Sequence, residues 1–208
     1  MSDPDRRAHW DEVYATRKFS EVSWYQAVPE VPLRLLRASG IGPDAPIIDI
    51  GGGASTLIDH LLDAGFEDLT VLDISERAFV QSRARLGDRA GRVHWIVSDV
   101  TTFKPERKYA LWHDRAVLHF LTDETDRQRY VEALRGALGP GGQLVISTFG
   151  PDGPQRCSGL EIQRYDIDRM QALLGPAFEL CESEIENHAT PMGGQQQFLY
   201  SRWLRRVR

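Results

Sequence analysis

The sequence predicts an α/β fold, a doubly wound and mostly parallel sheet with helices on both faces. Three observations carry that reading. Five apolar runs of strand length alternate with helix-like stretches between residues 46 and 149. The first run ends in a glycine-rich turn, Ile47-Ile48-Asp49-Ile50-Gly51-Gly52-Gly53, and the second, Leu69-Thr70-Val71-Leu72-Asp73, ends in an acid. After residue 150 the rhythm changes to strand, turn, strand. Continuous apolar strands separated by helices belong to a parallel sheet buried on both sides. The final pair reads as an antiparallel hairpin closing one sheet edge.

Each element has a local reason. Residues 4–18 read as a helix with Trp10, Val13 and Tyr14 on one side, and residues 31–38 as a second helix with Pro32 in its first turn. Gly40, Gly42, Pro43 and Pro46 punctuate the chain before the first strand, residues 46–50. A helix over 56–64 turns Leu57, Ile58, Leu61 and Leu62 inward. Residues 69–72 form the second strand, and Ser75 is placed to N-cap a helix running to residue 86. The third and fourth strands are 93–97 and 109–113. Thr122 or Asp123 caps a helix that buries Val131, Leu134 and Leu138. Gly139-Pro140-Gly141-Gly142 ends it before a fifth strand at 144–149. Beyond a loop over 150–164, Asp166 caps a helix at 167–174, and residues 178–185 and 196–204 pair through Pro191-Met192-Gly193-Gly194.

Bulk properties narrow the partners. The chain has 208 residues, a size that suits one domain. Its formal net charge is −5, which provides no basic field for nucleic acid or an anionic membrane surface. The two cysteines, Cys157 and Cys181, lack metal-ligand spacing and do not make a disulfide framework. With no apolar segment near the N-terminus and no run of about 18 apolar residues, the expected location is cytoplasmic.

The glycine turn followed by a strand-tip acid is the outline of a βαβ unit that holds a nucleoside by its ribose hydroxyls. The turn discriminates among nucleosides. A dinucleotide loop carries a third glycine, and here that position is Thr56. Asp49, two residues before Gly51, would repel a pyrophosphate and suits a ligand bearing an ammonium or sulfonium. S-adenosylmethionine carries both, so a nicotinamide-dependent oxidoreductase is the weaker alternative, alongside a non-catalytic S-adenosylmethionine-binding protein.

These residues carry a resemblance. Asp49-Ile50-Gly51-Gly52-Gly53 resembles motif I of the class I, seven-β-strand S-adenosylmethionine methyltransferases. Asp73, with Ile74 beside it, resembles the acid that holds the ribose, and Ser98-Asp99-Val100 the segment that flanks the adenine. Leu138-Gly139-Pro140-Gly141-Gly142 resembles the turn before that family's fifth strand. The resemblance implies a Rossmann-like sheet of order 3-2-1-4-5-7-6 with strand 7 antiparallel. It implies S-adenosylmethionine as methyl donor, S-adenosylhomocysteine as product, and no metal. Residues 1–40 would then be a helical arm or lid, 41–150 the cofactor-binding core, and 151–208 a substrate loop and hairpin. Two further stretches, His9-Trp10-Asp11-Glu12-Val13-Tyr14 with Val22-Ser23-Trp24-Tyr25-Gln26, and Asn187 to Gln196, resemble the branch containing elongation-factor and citrate-synthase lysine methyltransferases. The acceptor is then a protein lysine amine or a small molecule.

Candidate side chains follow from this frame. Trp24 and Tyr25 would close over the methionine end of the donor, where an aromatic face stabilises positive sulfur. His113-Asp114-Arg115 falls at the carboxyl end of the fourth strand, where such sheets bind ligands. Asp114 or His113 would orient the acceptor or take its proton, and Arg115 would contact substrate. Glu161, Tyr165 and His188 would line an acceptor channel. His119, in an apolar stretch, reads as a core histidine, and Trp10 and Tyr14 as packing.

Overall fold

The computed structural model describes residues 3–207, so Met1, Ser2 and Arg208 of the expected single domain lie outside the described residues. The chain opens with α1 (Asp3–Thr16) and α2 (Glu30–Ala38). Then β1 (Ile47–Ile50), α3 (Leu57–Asp63), β2 (Leu69–Asp73), α4 (Glu76–Leu86), β3 (Val93–Val97) and β4 (Tyr109–Arg115) alternate as expected. They are followed by α5 (Glu124–Ala137), β5 (Leu138–Phe149) and a small hairpin of β6 (Arg156–Cys157) and β7 (Leu160–Glu161). The last elements are α6 (Ile167–Leu174), β8 (Phe178–Ala189) and β9 (Gln195–Arg205).

The seven-stranded sheet has the order β3-β2-β1-β4-β5-β9-β8. Strands β1 to β5 pair in parallel, and β9 runs antiparallel to both β5 and β8. Counting the strands of this sheet alone gives 3-2-1-4-5-7-6, the order the sequence implied.

The pleat sorts side chains between two cores. Ile48, Ile50, Trp112, Leu144 and Trp203 pack with Tyr130 and Leu134 of α5 and with Met170 and Leu174 of α6. Ile47, Val71, Leu111 and Val145 face the other way, onto Leu35 and Leu36 of α2, Leu61 of α3 and Phe79 of α4. Each such side chain, fully buried, contributes about 1.5–3 kcal/mol relative to exposure. Strands covered on both faces explain why the first strands read as unbroken apolar runs.

Three local expectations change. Strand β4 continues to Arg115, so the His-Asp-Arg sequence lies inside the strand. The 139–142 turn is an irregular stretch at the start of β5, where the pairing jumps from Tyr109↔Leu138 to Leu111↔Gln143. Ser75 stands at the N-cap of α4 without capping it, because its hydroxyl donates to Asp11 Oδ1 of α1 at 2.5 Å. Asp123 and Asp166 do cap, accepting from backbone N–H groups of α5 and α6.

Candidate active site

The carboxyl ends of β1, β2 and β4 converge under the glycine turn. Asp49 and His113 are register partners on neighbouring strands, and parallel pairing puts both side chains on one face. His113 Nδ1 and Asp49 Oδ1 are 2.6 Å apart, and both residues are 2% exposed. Each keeps a second polar atom, Asp49 Oδ2 and His113 Nε2, that is buried without a partner. Both residues line the same cavity.

Asp73 sits beside them at the tip of β2. Its Oδ1 accepts from Ser75 N at 2.9 Å and its Oδ2 from Gly53 N at 3.2 Å. A carboxylate offers about four acceptor sites, so capacity remains for ligand hydroxyls. Burial pushes the Asp73 carboxyl up to about 7, opposed by the backbone N–H groups of Ser75, Gly53 and Ile74 and reinforced by the charge of Asp49.

The turn is glycine because side chains do not fit. Gly51 has φ +66, and a Cβ there would run into Val117. A Cβ on Gly52 would strike the Asp49 carboxylate, and one on Gly53 would strike Ala78 and come within 2.7 Å of Asp73 Oδ2. Glycine thus lets the turn backbone pass close to both acids, which line the cavity.

The N-terminal arm forms the opposite wall. Arg6, Trp10, Tyr14 and Trp24 line the cavity. Arg6 Nε donates to Asp99 Oδ2 at 2.8 Å, its Nη1 to Asp126 Oδ2 at 2.7 Å and its Nη2 to Thr101 Oγ1 at 3.2 Å. Trp10 meets Trp24 and Phe120 edge to face, at 6.0 and 5.0 Å between centroids. Burial, and then the charge of Asp73, raise the Tyr14 phenol well above its ordinary value, so it stays neutral.

Several expected site residues do gather here. Asp49, Gly51, Asp73, Ile74, Asp99, Val100, Trp24, His113 and Arg115 border the cavity, and Gly53 supports it from below through Asp73. The oxygens of Asp99 are engaged by Arg6 and by Thr101, whose N and Oγ1 each lie 2.7 Å from Oδ1. Trp10, Tyr14 and His119, read from the sequence as packing, also line the cavity.

Other residues lie elsewhere. Asp114 follows His113 in a pleated strand and therefore points to the opposite core. It is fully buried there, accepting from Tyr130 Oη at 2.7 Å, Val117 N at 2.8 Å and Leu118 N at 3.2 Å. Burial pushes its carboxyl up to about 6, against those three donors. Its place makes it a support for the β4 turn rather than a group in contact with ligand. Tyr25 packs edge to face on Phe19, 5.3 Å between centroids, outside the cavity wall. Tyr165 is buried in the same core as Asp114. Glu161 borders a shallow surface hollow with Arg156, Arg164 and Arg169. His188 on β8 lies with Nε2 3.0 Å from the Ser23 carbonyl, which ties β8 to the arm. Sequence reasoning misses Arg6, since nothing local marks a contact 93 residues away.

Comparison with known proteins agrees with this geometry. Residues 48–144 match a family model described as a methyltransferase domain. Nodulation protein S of Rhizobium tropici is 31% identical over 114 residues, covering 55% of this chain and 47% of that protein. An eEF1A lysine and N-terminal methyltransferase of Mus musculus is 28% identical over 120 residues, covering 57% of this chain and 17% of that protein. The chain thus spans about half or less of these relatives' length. The crystal structure of the N-methyltransferase NodS from Bradyrhizobium japonicum WM9, in complex with S-adenosyl-L-homocysteine, superposes with a TM-score of 0.71 at 19% identity, over 94% of this chain and 97% of that one. Residues 48–144, which hold the glycine turn, the strand-tip acids and His113, are thus similar to a methyltransferase domain, and the whole sheet has the Rossmann-like fold of the superposed NodS structure.

Proposed function

We propose that this protein is a methyltransferase that takes its methyl group from S-adenosylmethionine. The observation that carries the reading is the unpartnered, buried Asp49 Oδ2, facing the cavity that Asp73 also borders. An unpaired buried carboxylate oxygen is costly unless a cation or donor meets it. The ammonium of the donor's methionine end is such a partner, whereas a pyrophosphate would be repelled. Asp73 supplies acceptors for ribose hydroxyls. Ile74, Asp99 and Val100 flank the adenine, Gly51 and Gly53 allow backbone approach, and Trp24 covers the methionine end.

When bound, S-adenosylmethionine supplies a methyl carbon activated by positive sulfur and open to in-line displacement. The chain's own part is alignment and exclusion of water. His113 holds Asp49 in place through Nδ1, and its Nε2 faces the cavity. The aromatic rings of Trp10, Trp24 and Phe120 keep the chamber dry. The acceptor is a nucleophile of small-molecule or protein-amine class, the second supported by the likeness to an eEF1A lysine and N-terminal methyltransferase. Among the described residues no cluster of His, Cys, Asp or Glu is arranged to hold a metal, and no helix is long and apolar enough to cross a membrane. The free cysteines Cys157 and Cys181 suit a reducing cytoplasm. We read residues 1–40 as a lid over a 41–150 core, with 151–208 completing the acceptor side.

Parallel calorimetric titrations with S-adenosylhomocysteine and with NAD test the donor. Binding of the former alone is expected, and binding of NAD alone would overturn the assignment. Labelled methyl transfer to lysate fractions, with and without protease, then sorts protein acceptors from small molecules.

A further inference from the structure

The cavity that Asp49 and Asp73 border also carries two buried N–H donors without a hydrogen-bond partner, on Arg115 and His119. Arg115 Nε donates to Tyr200 Oη at 2.8 Å and its Nη1 to the Trp24 carbonyl at 2.7 Å, and the guanidinium lies 4.8 Å from the Phe198 ring centroid. These contacts fix the group, while Nη2 is buried without a partner. His119 is fully buried, and its Nδ1 accepts from Phe149 N at 3.3 Å. In a neutral imidazole the other nitrogen then carries the hydrogen. Burial, with the nearby charge of Arg115, holds this histidine down to about 3, so it is neutral. His119 Nε2 is therefore a donor, and it too is buried without a partner. Arg115 and His119 line the same cavity, beside Phe149 and Phe198, whose rings meet edge to face with centroids 4.8 Å apart.

We propose that the methyl acceptor bears a carboxylate, which seats between Arg115 Nη2 and His119 Nε2 against Phe149 and Phe198. The proposal rests on the methyltransferase reading and narrows its substrate class. Two unsatisfied donors lining one cavity call for acceptor oxygens, and leaving each unmet costs about 1–3 kcal/mol. A carboxylate has two acceptor oxygens, one for Arg115 Nη2 and one for His119 Nε2. The charge also matches. Arg115 contributes one positive charge, its hydrogen bonds in the structure go to a phenol and a carbonyl, His119 adds none, and the Glu186 carboxylate, which acts on Tyr200 and His188 beside Arg115, is held by Gln26 Nε2 at 3.0 Å. A monoanion is compensated there, while a phosphate dianion would bring an unpaired charge into an aromatic chamber. A lysine ammonium has donors only, and would meet two more donors and a cation.

The test uses matched probes with the full chain saturated in S-adenosylhomocysteine. Benzoate and phenylacetate are titrated against benzamide and phenylacetamide, with butylamine and inorganic phosphate alongside, and tryptophan fluorescence reports occupancy near Trp24. Both acids are expected to bind about tenfold or more tightly than their amides, from the charged hydrogen bond to Arg115. Arg115→Gln should erase that preference and Arg115→Lys should keep part of it. Equal binding of acids and amides, no binding of the acids, or stronger binding of butylamine or phosphate would overturn the proposal. So would an acid preference that survives in Arg115→Gln. If that variant does not fold, the acid–amide comparison in the unaltered protein decides alone. Failure of S-adenosylhomocysteine to bind in the first step strikes the donor reading instead, which separates the two conclusions.

Discussion

Asp49 and His113 meet across β1 and β4 at 2.6 Å because they are register partners on the two adjacent parallel strands. The pair divides its labour: Oδ1 and Nδ1 face each other, while Oδ2 and Nε2 are unpartnered at the cavity. Asp49→Asn keeps the shape and removes the charge, so S-adenosylhomocysteine affinity should fall about tenfold or more. His113→Phe strands Asp49 Oδ1 and should lower stability by roughly 1–3 kcal/mol. Calorimetry on the first variant and urea denaturation on the second check the division.

Asp73 makes donor binding pH-dependent. Its carboxyl is pushed up to about 7 by burial, and ribose hydroxyls need the ionised form as acceptor. Affinity should therefore rise with pH until about 7 and level off above it. Stability runs the other way. The native state holds a proton that the unfolded chain, with its ordinary carboxyl at 3.8, has already lost, so this contribution is full below that value and is lost as pH rises through about 7. Asp73→Asn should flatten both profiles, measured by calorimetry and by thermal melts across the same buffers.

Asp114 is expected to behave as a structural acid. Asp114→Ala leaves the Tyr130 hydroxyl and the N–H groups of Val117 and Leu118 without their acceptor, and should cost roughly 2–5 kcal/mol. Asp114→Asn keeps an acceptor and should retain most stability and donor affinity. A variant Asp114→Asn that folds, binds donor normally and has lost all methyl transfer would return Asp114 to the chemistry.

Gly53→Ala tests the close approach under the donor. The added methyl meets Ala78 and comes within 2.7 Å of Asp73 Oδ2, an overpacking worth about 1–3 kcal/mol. Donor affinity should fall with it. Gly139→Ala, whose new methyl meets open space, should change neither melting temperature nor affinity.

The sheet and the donor side were legible because their signals are local: apolar runs, a glycine turn and acids at strand tips. The acceptor side was not, for two physical reasons. His113-Asp114-Arg115 reads as one cluster along the chain, yet the pleat sends Asp114 to the α5 face and leaves His113 and Arg115 at the cavity. The sequence also cannot display a missing partner. His119 looked like a core histidine, and it is fully buried, but its free nitrogen matters only once Phe149 is seen to occupy the other. Ser75 likewise fits an N-cap until Asp11, 64 residues away, takes its hydroxyl.

The arm's bonds to the core have a consequence for time rather than for shape. Arg6 holds α1 to Asp99 and Asp126, and Ser75 holds it through Asp11. A ligand resting on Asp49 and Asp73 has that helix across the cavity from it. If spent donor leaves past α1, those bonds must be given up for it to pass. Arm opening and product residence then run on one clock, so the slowest event of a turnover can be set at Arg6, distant from the transferred methyl.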